Sequence, residues 1–522
     1  MTKPCLLPES MAFLLAGLVW LAFEFHGPGV PPAHSDTWDY AQLGRNNARG
    51  HFFDSDFTYP LALRWDPSPP FHTLWRLPLY PLACSIPYLF SAAPPIQVYC
   101  YLSGFFFCLA AALYARLAIK TLASRLLPLA LFLFVLSPHL LSPSLVGLSE
   151  PFYISLVLAV VLCLLSDRAW LDAFAGLLLG LAWLTRSNVL FLLPALASWL
   201  LAGSGPLRKR FFRTCVFMLV MAMVCIPWWL RNAILTGSPF FNLSSYLPLM
   251  FTEEWPGWSL FRTVIPPGRD MPELEMSAFV DRGIHCLWTF GVVQRLISCN
   301  PVVWLAFLLG MISALKQRKS DPRSWRLCLF IVSGDIVTTG SLCFIHPDMR
   351  VYSPMLPLVY LQACHGTGRM LEDASLRARR GQLACLLTLA LVVSSAAYSI
   401  RFWSNQPRES WPTLSAGEIA QLKRDLPPGG VVASDLADYL AWSLDRPVLE
   451  LPKVASFQDL QSRGVGVEII HLSPLLGELV QSEGKAETQW LDVFRGSPLA
   501  GAGDLLFTTP SGHRFYSARS PG

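Results

Sequence analysis

Charge is what this chain has least of. Only 14% of its 522 residues are Asp, Glu, Lys or Arg, against 53% hydrophobic residues, and the mean hydropathy is +0.44. A soluble domain carries roughly a quarter charged residues, so the composition excludes an ordinary soluble globule and marks a polytopic membrane protein. The chain also lacks any Cys-x-x-Cys pair and has no cysteine after Cys385, although it has 13 in all, mostly inside apolar runs. That excludes a zinc ribbon and a disulfide scaffold; Cys286 and Cys299, in or near a long polar loop, leave one disulfide open. Basic residues never gather into a block, so the net charge of +5 does not point to nucleic acid. Internal repeats and low-complexity tracts are missing too.

Long apolar runs are abundant instead. With roughly 20 apolar residues needed per crossing, about eleven spans are expected, near 6–25, 95–118, 126–145, 150–166, 170–186, 188–203, 214–230, 300–315, 327–345, 351–367 and 382–402. The first is read as a retained helix, since no small-residue cleavage site separates it from Asp36. With the N-terminus cytoplasmic, Lys120 and Arg125, then Arg168, then Arg208 to Arg213, then Lys316 to Arg326, then Arg369 to Arg380 all fall inside, as the positive-inside rule requires. The loops 26–94 and 231–299 and everything after about 403 then lie on the outer side of the membrane. Residues 1–402 read as a transmembrane domain holding both outer loops. Residues 403–522 read as a small α/β domain, with short β-rich runs at VVASD, VLELP, VEIIHLS, LLFTT and RFYSA between helix-compatible segments.

Four arginines depart from the inside pattern: Arg76, Arg186, Arg231 and Arg350 sit at or beyond outer span ends. Each can snorkel to headgroups, but four on one face suit a bound phosphate, which a planar guanidinium grips bidentately without ever losing its proton. The first outer loop carries Asp36 and Asp39 in HSDTWDY. Ser35 or Asp36 suits the N-cap of a short helix through Tyr40 and Leu43; a carboxylate there also suits proton abstraction. Glu150, beside Pro151, is favourable at a helix start. Asp54, Asp56 and Asp66 receive no role. The 232–299 loop, with Trp255, Trp258 and Trp288, either folds over a ligand or anchors at the interface.

The ordered set SDTWDYAQLGRNNARG, WRLPLYPL, LVGLSEPFYISLVLA, AGLLLGLAWLTRSNVLFLLPAL, IPWWLRNAILTGSPFF and DMRVYSPMLPLVY resembles the GT-C membrane glycosyltransferases, in the protein O-mannosyltransferase and aminoarabinose transferase branch, over roughly residues 10–400. The resemblance implies transfer of a sugar from a polyprenyl-phosphate donor to a lipid, glycan or protein acceptor on the outer face of the membrane, with membrane lipids as surroundings and a bacterial inner membrane as the home. Asp36 and Tyr40 match the leading acid and the tyrosine of the family's Asp-Glu-x-x-Tyr, with Thr37 in place of the second acid and Asp39 as its possible substitute. Arg76 to Pro81 matches an Arg-Pro-Pro-Leu-Tyr-Pro segment with one proline lost. The resemblance makes Asp36 the catalytic base and Arg76, Arg350 and Arg231 the donor-phosphate ligands, supported by Asp39, Tyr40, Tyr80, Glu150 and Arg186. Some relatives use a divalent metal near the phosphate, and no ligand set for one is evident here.

Two other classes stay open. A transporter or flippase places charged residues mid-span and often shows related halves; here the charges are expected at outer span ends and no half-repeat is visible. A non-catalytic scaffold would make Asp36 dispensable.

Overall fold

The computed structural model describes residues 7–26, 34–166, 168–203, 205–266, 268–273, 275–298, 300–372, 377–405, 413–427, 430–462, 466–477, 488–496 and 502–518. Each expected apolar run carries helix. Among the described residues, five helices are long and apolar enough to cross a membrane, or up to seven if two bent pairs each count once. The shortfall from about eleven has a geometric cause. Glu150–Leu164 and Ala169–Thr185 are helices of 15 and 17 residues, and at about 1.5 Å per residue they fall short of the roughly 30 Å hydrocarbon layer. Residues 279–298 and 301–316 form one of the bent pairs, turning by 101°. Cys286 is a buried free cysteine, and Cys299 lies outside the described residues.

The residues divide into two compact units: Met1–Pro32, Gln97–Pro227 and Met276–Arg408 in the first, Ala33–Ile96, Trp228–Glu275 and Glu409–Gly522 in the second. This grouping differs from a boundary near 402, because the outer loops pack with the C-terminal segment. The first unit is helical throughout its described residues. Two of its helices, Pro301–Lys316 and Leu356–Glu372, approach closely: a Cβ on Gly310 would lie 2.4 Å from the Gln362 carbonyl oxygen. Only a bare backbone allows that contact.

The second unit is built on strands β1 Asp54–Ser55, β2 Phe57–Thr58, β3 Phe71–His72, β4 Val431–Ser434, β5 Val448–Glu450, β6 Val467–Leu472, β7 Ala502–Thr508 and β8 Arg514–Ala518. All five β-rich runs of the C-terminal segment are strands. Six strands form one sheet in the order β2-β5-β4-β6-β8-β7, parallel from β2 to β6 and antiparallel at β8 and β7. Its central strand β4 is buried along its whole length and β6 at every position but Glu468, as parallel strands covered on both faces should be. Leu63 and Phe71 from the first outer loop share one core with Leu449, Phe457, Ile470 and Trp490. Leu61 and Leu74 share another with Leu249, Leu260 and Phe261 of the second outer loop. The two loops and the C-terminal segment are therefore one folded body.

Candidate active site

The site begins with the helix Ser35–Ala48. Its cap is neither Ser35 nor Asp36 but His34, whose Nδ1 accepts from the Asp36 amide at 3.2 Å while Thr37 Oγ1 accepts from the His34 amide at 3.3 Å. This reciprocal pairing satisfies the helix start and leaves the Asp36 carboxylate out of the cap.

Asp36 and Asp39, three positions apart, share one face of the helix. Arg76 reaches both: Nη2 donates to Asp36 Oδ1 at 2.6 Å and Nε to Asp39 Oδ2 at 2.5 Å. The two acids then diverge. Asp39 also accepts from Gln42 Nε2 at 3.0 Å and its side chain is 4% exposed, whereas the Asp36 side chain is 17% exposed. Burial raises the Asp39 carboxyl above its usual range, opposed by Arg76 and Gln42, while the paired carboxylates hold Arg76 firmly in its charged form. Asp39 is thus the anchor and Asp36 the accessible acid. The guanidinium also lies 4.8 Å from the centroid of the Tyr40 ring, and Tyr40 meets the fully buried Tyr80 edge-on at 4.8 Å. Asp36, Asp39, Tyr40, Arg76 and Tyr80 are brought together.

Gly44 sets the spacing. A Cβ there would sit 2.6 Å from the Cys84 carbonyl oxygen and 2.7 Å from its carbon, just after the helix Leu79–Ala83 that carries Tyr80. Gly44→Val is expected to force this backbone contact apart, destabilising the second unit by about 1–3 kcal/mol and lowering its melting temperature in detergent; an unchanged melt would show that the contact is slack.

The acids given no role prove structural. Asp56 accepts from Arg45 Nη2 at 2.7 Å and from Asn46, and Asp66 binds the His72 amide. Arg45 continues to the Ala441 and Trp442 carbonyls at 2.9 and 2.7 Å, fastening the end of the helix Ala437–Leu444 to the acid-bearing helix. Trp38 packs edge-on against Tyr439 at 5.2 Å.

Beside it lies Asp438, which reading the residues in order missed. Burial, followed by the charges of Asp39 and Asp36, pushes its carboxyl up to about 8, with Arg76 pulling the other way. The only signal in the sequence was an acid inside an apolar helix, in DLADYLAWSL. A raised carboxyl favours the fold while protonated. That contribution is complete below the ordinary carboxylate range and is lost as pH climbs through about 8. Asp438→Asn should therefore leave the melting temperature little changed at about pH 3.5 and raise it at about pH 9, with Asp39 and Asp66, also raised by burial, keeping a residual slope. Equal wild-type and variant profiles would place Asp438 in solvent.

The other expected arginines lie elsewhere. In the first unit, Glu150 starts its helix fully buried, and its Oε1 accepts from Arg186 Nη1 at 3.0 Å and Arg350 Nε at 2.7 Å. The Arg350 amide is held by the Asp348 cap at 2.8 Å. One carboxylate thus holds two guanidinium groups. Arg231 in the second unit lies 4.4 Å from the Trp228 ring centroid and donates to Asn232 at 3.1 Å. It makes no hydrogen bond or ion pair with Asp36 or Asp39. One further pair corrects the expectation that charges gather at outer span ends: Arg295 and Asp335 are buried together in the first unit, Asp335 halfway along Pro322–Ile345, with the Tyr352 hydroxyl joining them.

Among the described residues no group of three or more His, Cys, Asp and Glu is placed to hold a metal ion. The Asp36 and Asp39 carboxylates do not fit one as packed, because Arg76 already occupies the cation's place between them.

The fold is similar to that of membrane glycosyltransferases of known structure, and the long apolar helices mark an integral membrane protein. An Archaeoglobus fulgidus oligosaccharyltransferase, solved with zinc and sulfate, matches 97% of this chain and 73% of its own at 14% identity and a TM-score of 0.60. ArnT from Cupriavidus metallidurans bound to undecaprenyl phosphate matches 97% of both chains at 12% identity and a TM-score of 0.57. The mycobacterial arabinofuranosyltransferase AftD matches 98% of this chain and 41% of its own at 16% identity and a TM-score of 0.54. No protein-family model matches the sequence, and no curated protein does.

Proposed function

We propose that this protein is a membrane glycosyltransferase that moves a sugar from a polyprenyl-phosphate donor to an acceptor hydroxyl or amine on the outer face of the membrane. The observation that carries the reading is the unequal acid pair on Arg76, set in a GT-C fold. Asp36 takes the acceptor's proton as it attacks the anomeric carbon. The bond from that carbon to the phosphate oxygen breaks, and the lipid phosphate leaves with the negative charge. Direct displacement inverts the anomeric configuration. Arg76, locked by Asp39 and Tyr40, orients Asp36 and supplies positive potential that needs no reorganisation. Arg231 is a weaker candidate for the leaving phosphate, since its guanidinium is already engaged with Trp228 and Asn232. Undecaprenyl phosphate in the ArnT structure and dolichol phosphate in an Archaeoglobus oligosaccharyltransferase structure support a lipid-linked donor.

The test supplies the purified protein with a panel of polyprenyl-phosphate sugars and a mixture of envelope lipids, glycans and peptides as acceptors, and follows release of polyprenyl phosphate. Turnover with one donor is the expected result. Transfer from nucleotide sugars but from none of the lipid-linked donors would overturn the donor class.

A further inference from the structure

One large cavity of the first unit plays no part in the proposed chemistry. It encloses about 680 Å³ and lies where several helices end: Gln97–Thr121 contributes Lys120, the end of Glu150–Leu164 contributes Leu164 to Ser166, Ala169–Thr185 contributes Leu171, and Pro322–Ile345 contributes Arg323 and Arg326. Arg168 and Trp199 complete the basic and apolar lining. Among the described residues, four cations and no carboxylate line it.

Nearby cations behave otherwise. Arg116, one turn before Lys120, is ion-paired to Glu9 at 2.8 Å, and Arg213 is ion-paired to Asp172. Lys120, Arg168 and Arg323 have no ion-pair partner among the described residues. Two of the four are positioned by helix-end carbonyls: Arg323 donates to Leu165 at 2.6 Å and Arg326 to Trp199 at 3.0 Å. Like charges held this close repel one another unless an anion joins them. The volume far exceeds what a bare phosphate needs and lies within the range of small-molecule sites. Leu164, Leu165, Leu171 and Trp199 give the rest of the wall an apolar character, and Trp170, beside Arg168, is 63% exposed, as an aromatic anchor at headgroup level would be.

We infer that this cavity binds the phosphodiester headgroup of an anionic phospholipid, with Lys120, Arg168 and Arg323 as its cationic ligands. The shared chemistry is a phosphate, which a lipid or the solution can supply, and the apolar wall together with the exposed tryptophan favours the lipid. By the distribution of basic residues this is the cytoplasmic end of the spans, and none of its lining residues takes part in the proposed transfer, so the inference stands whether or not that reaction is correct.

The test uses the full-length protein in neutral detergent and measures the melting temperature during titration with short-chain phosphatidylglycerol, short-chain phosphatidylcholine or inorganic phosphate. Phosphatidylglycerol alone should raise the melt saturably, and Arg168→Gln/Arg323→Gln should weaken that affinity about thirtyfold. Lys120→Arg should retain it, which separates charge from side-chain identity. If the double variant melts lower without lipid, Arg168→Lys/Arg323→Lys takes its place and should keep the phosphatidylglycerol response. An equal response to phosphatidylcholine, an undiminished response in the glutamine variant, or loss of the response in the lysine variant would each overturn the inference. Saturation by inorganic phosphate at the same residues, with no added effect of lipid, would overturn the lipid assignment in favour of a soluble phosphate.

Discussion

Asp36→Asn is expected to lower turnover by about 10²–10⁴-fold, the range a positioned general base contributes, with little change in donor affinity. Asparagine keeps the shape and still offers an oxygen to Arg76 Nη2, so the helix cap, built from His34 and Thr37, should survive. What disappears is the capacity to take a proton. The measurement is single-turnover transfer alongside equilibrium donor binding. A variant that turns over like the wild type would remove Asp36 from the chemistry and bring the scaffold reading forward. The parallel Asp39→Asn change should act mainly through stability, because that carboxylate is buried and already engaged by Arg76 and Gln42.

Arg76→Ala should be nearly as damaging by a different route. It leaves two carboxylates facing each other, one of them buried, and breaking a buried pair by removing a single partner costs about 3–5 kcal/mol. The second unit should melt earlier and turnover should fall with it. Arg76→Lys should not rescue activity, because one ammonium cannot reproduce the Nε and Nη2 contacts to two separate acids. Combining Arg76→Ala with Asp39→Asn should restore part of the stability while turnover stays low. If the double variant is as unstable as the single one, the ion pair is not the source of the loss.

The apolar runs were legible because a spanning helix must satisfy its own backbone and therefore shows itself as a continuous hydrophobic stretch. The β-rich runs near Val431, Val448, Val467, Leu505 and Arg514 were legible because short runs rich in β-branched and aromatic residues between helix-compatible segments read as strands. The closeness of Asp36, Tyr40, Arg76 and Tyr80 was suggested by the family resemblance and by no periodicity. Three features could not be read. β2 is only two residues long and pairs with β5 across most of the chain, leaving no local pattern. Asp438 lies in an apolar helix whose neighbours are fixed only by folding. Arg295 and Asp335, 40 positions apart, each look like an isolated charge until they are placed side by side. His34 was passed over as the cap because Ser35 and Asp36 are the commoner choices.

The clasp between Arg45 and Trp442 joins residues 397 positions apart. At ribosomal speeds of about 5–20 residues per second, the early loop waits about 20–80 seconds for its partner strand to be synthesised. During that interval Arg45 is without the Ala441 and Trp442 carbonyls that later hold it. A nascent chain stopped before the Ala437–Leu444 helix would therefore carry the acid-bearing helix with its far end unfastened.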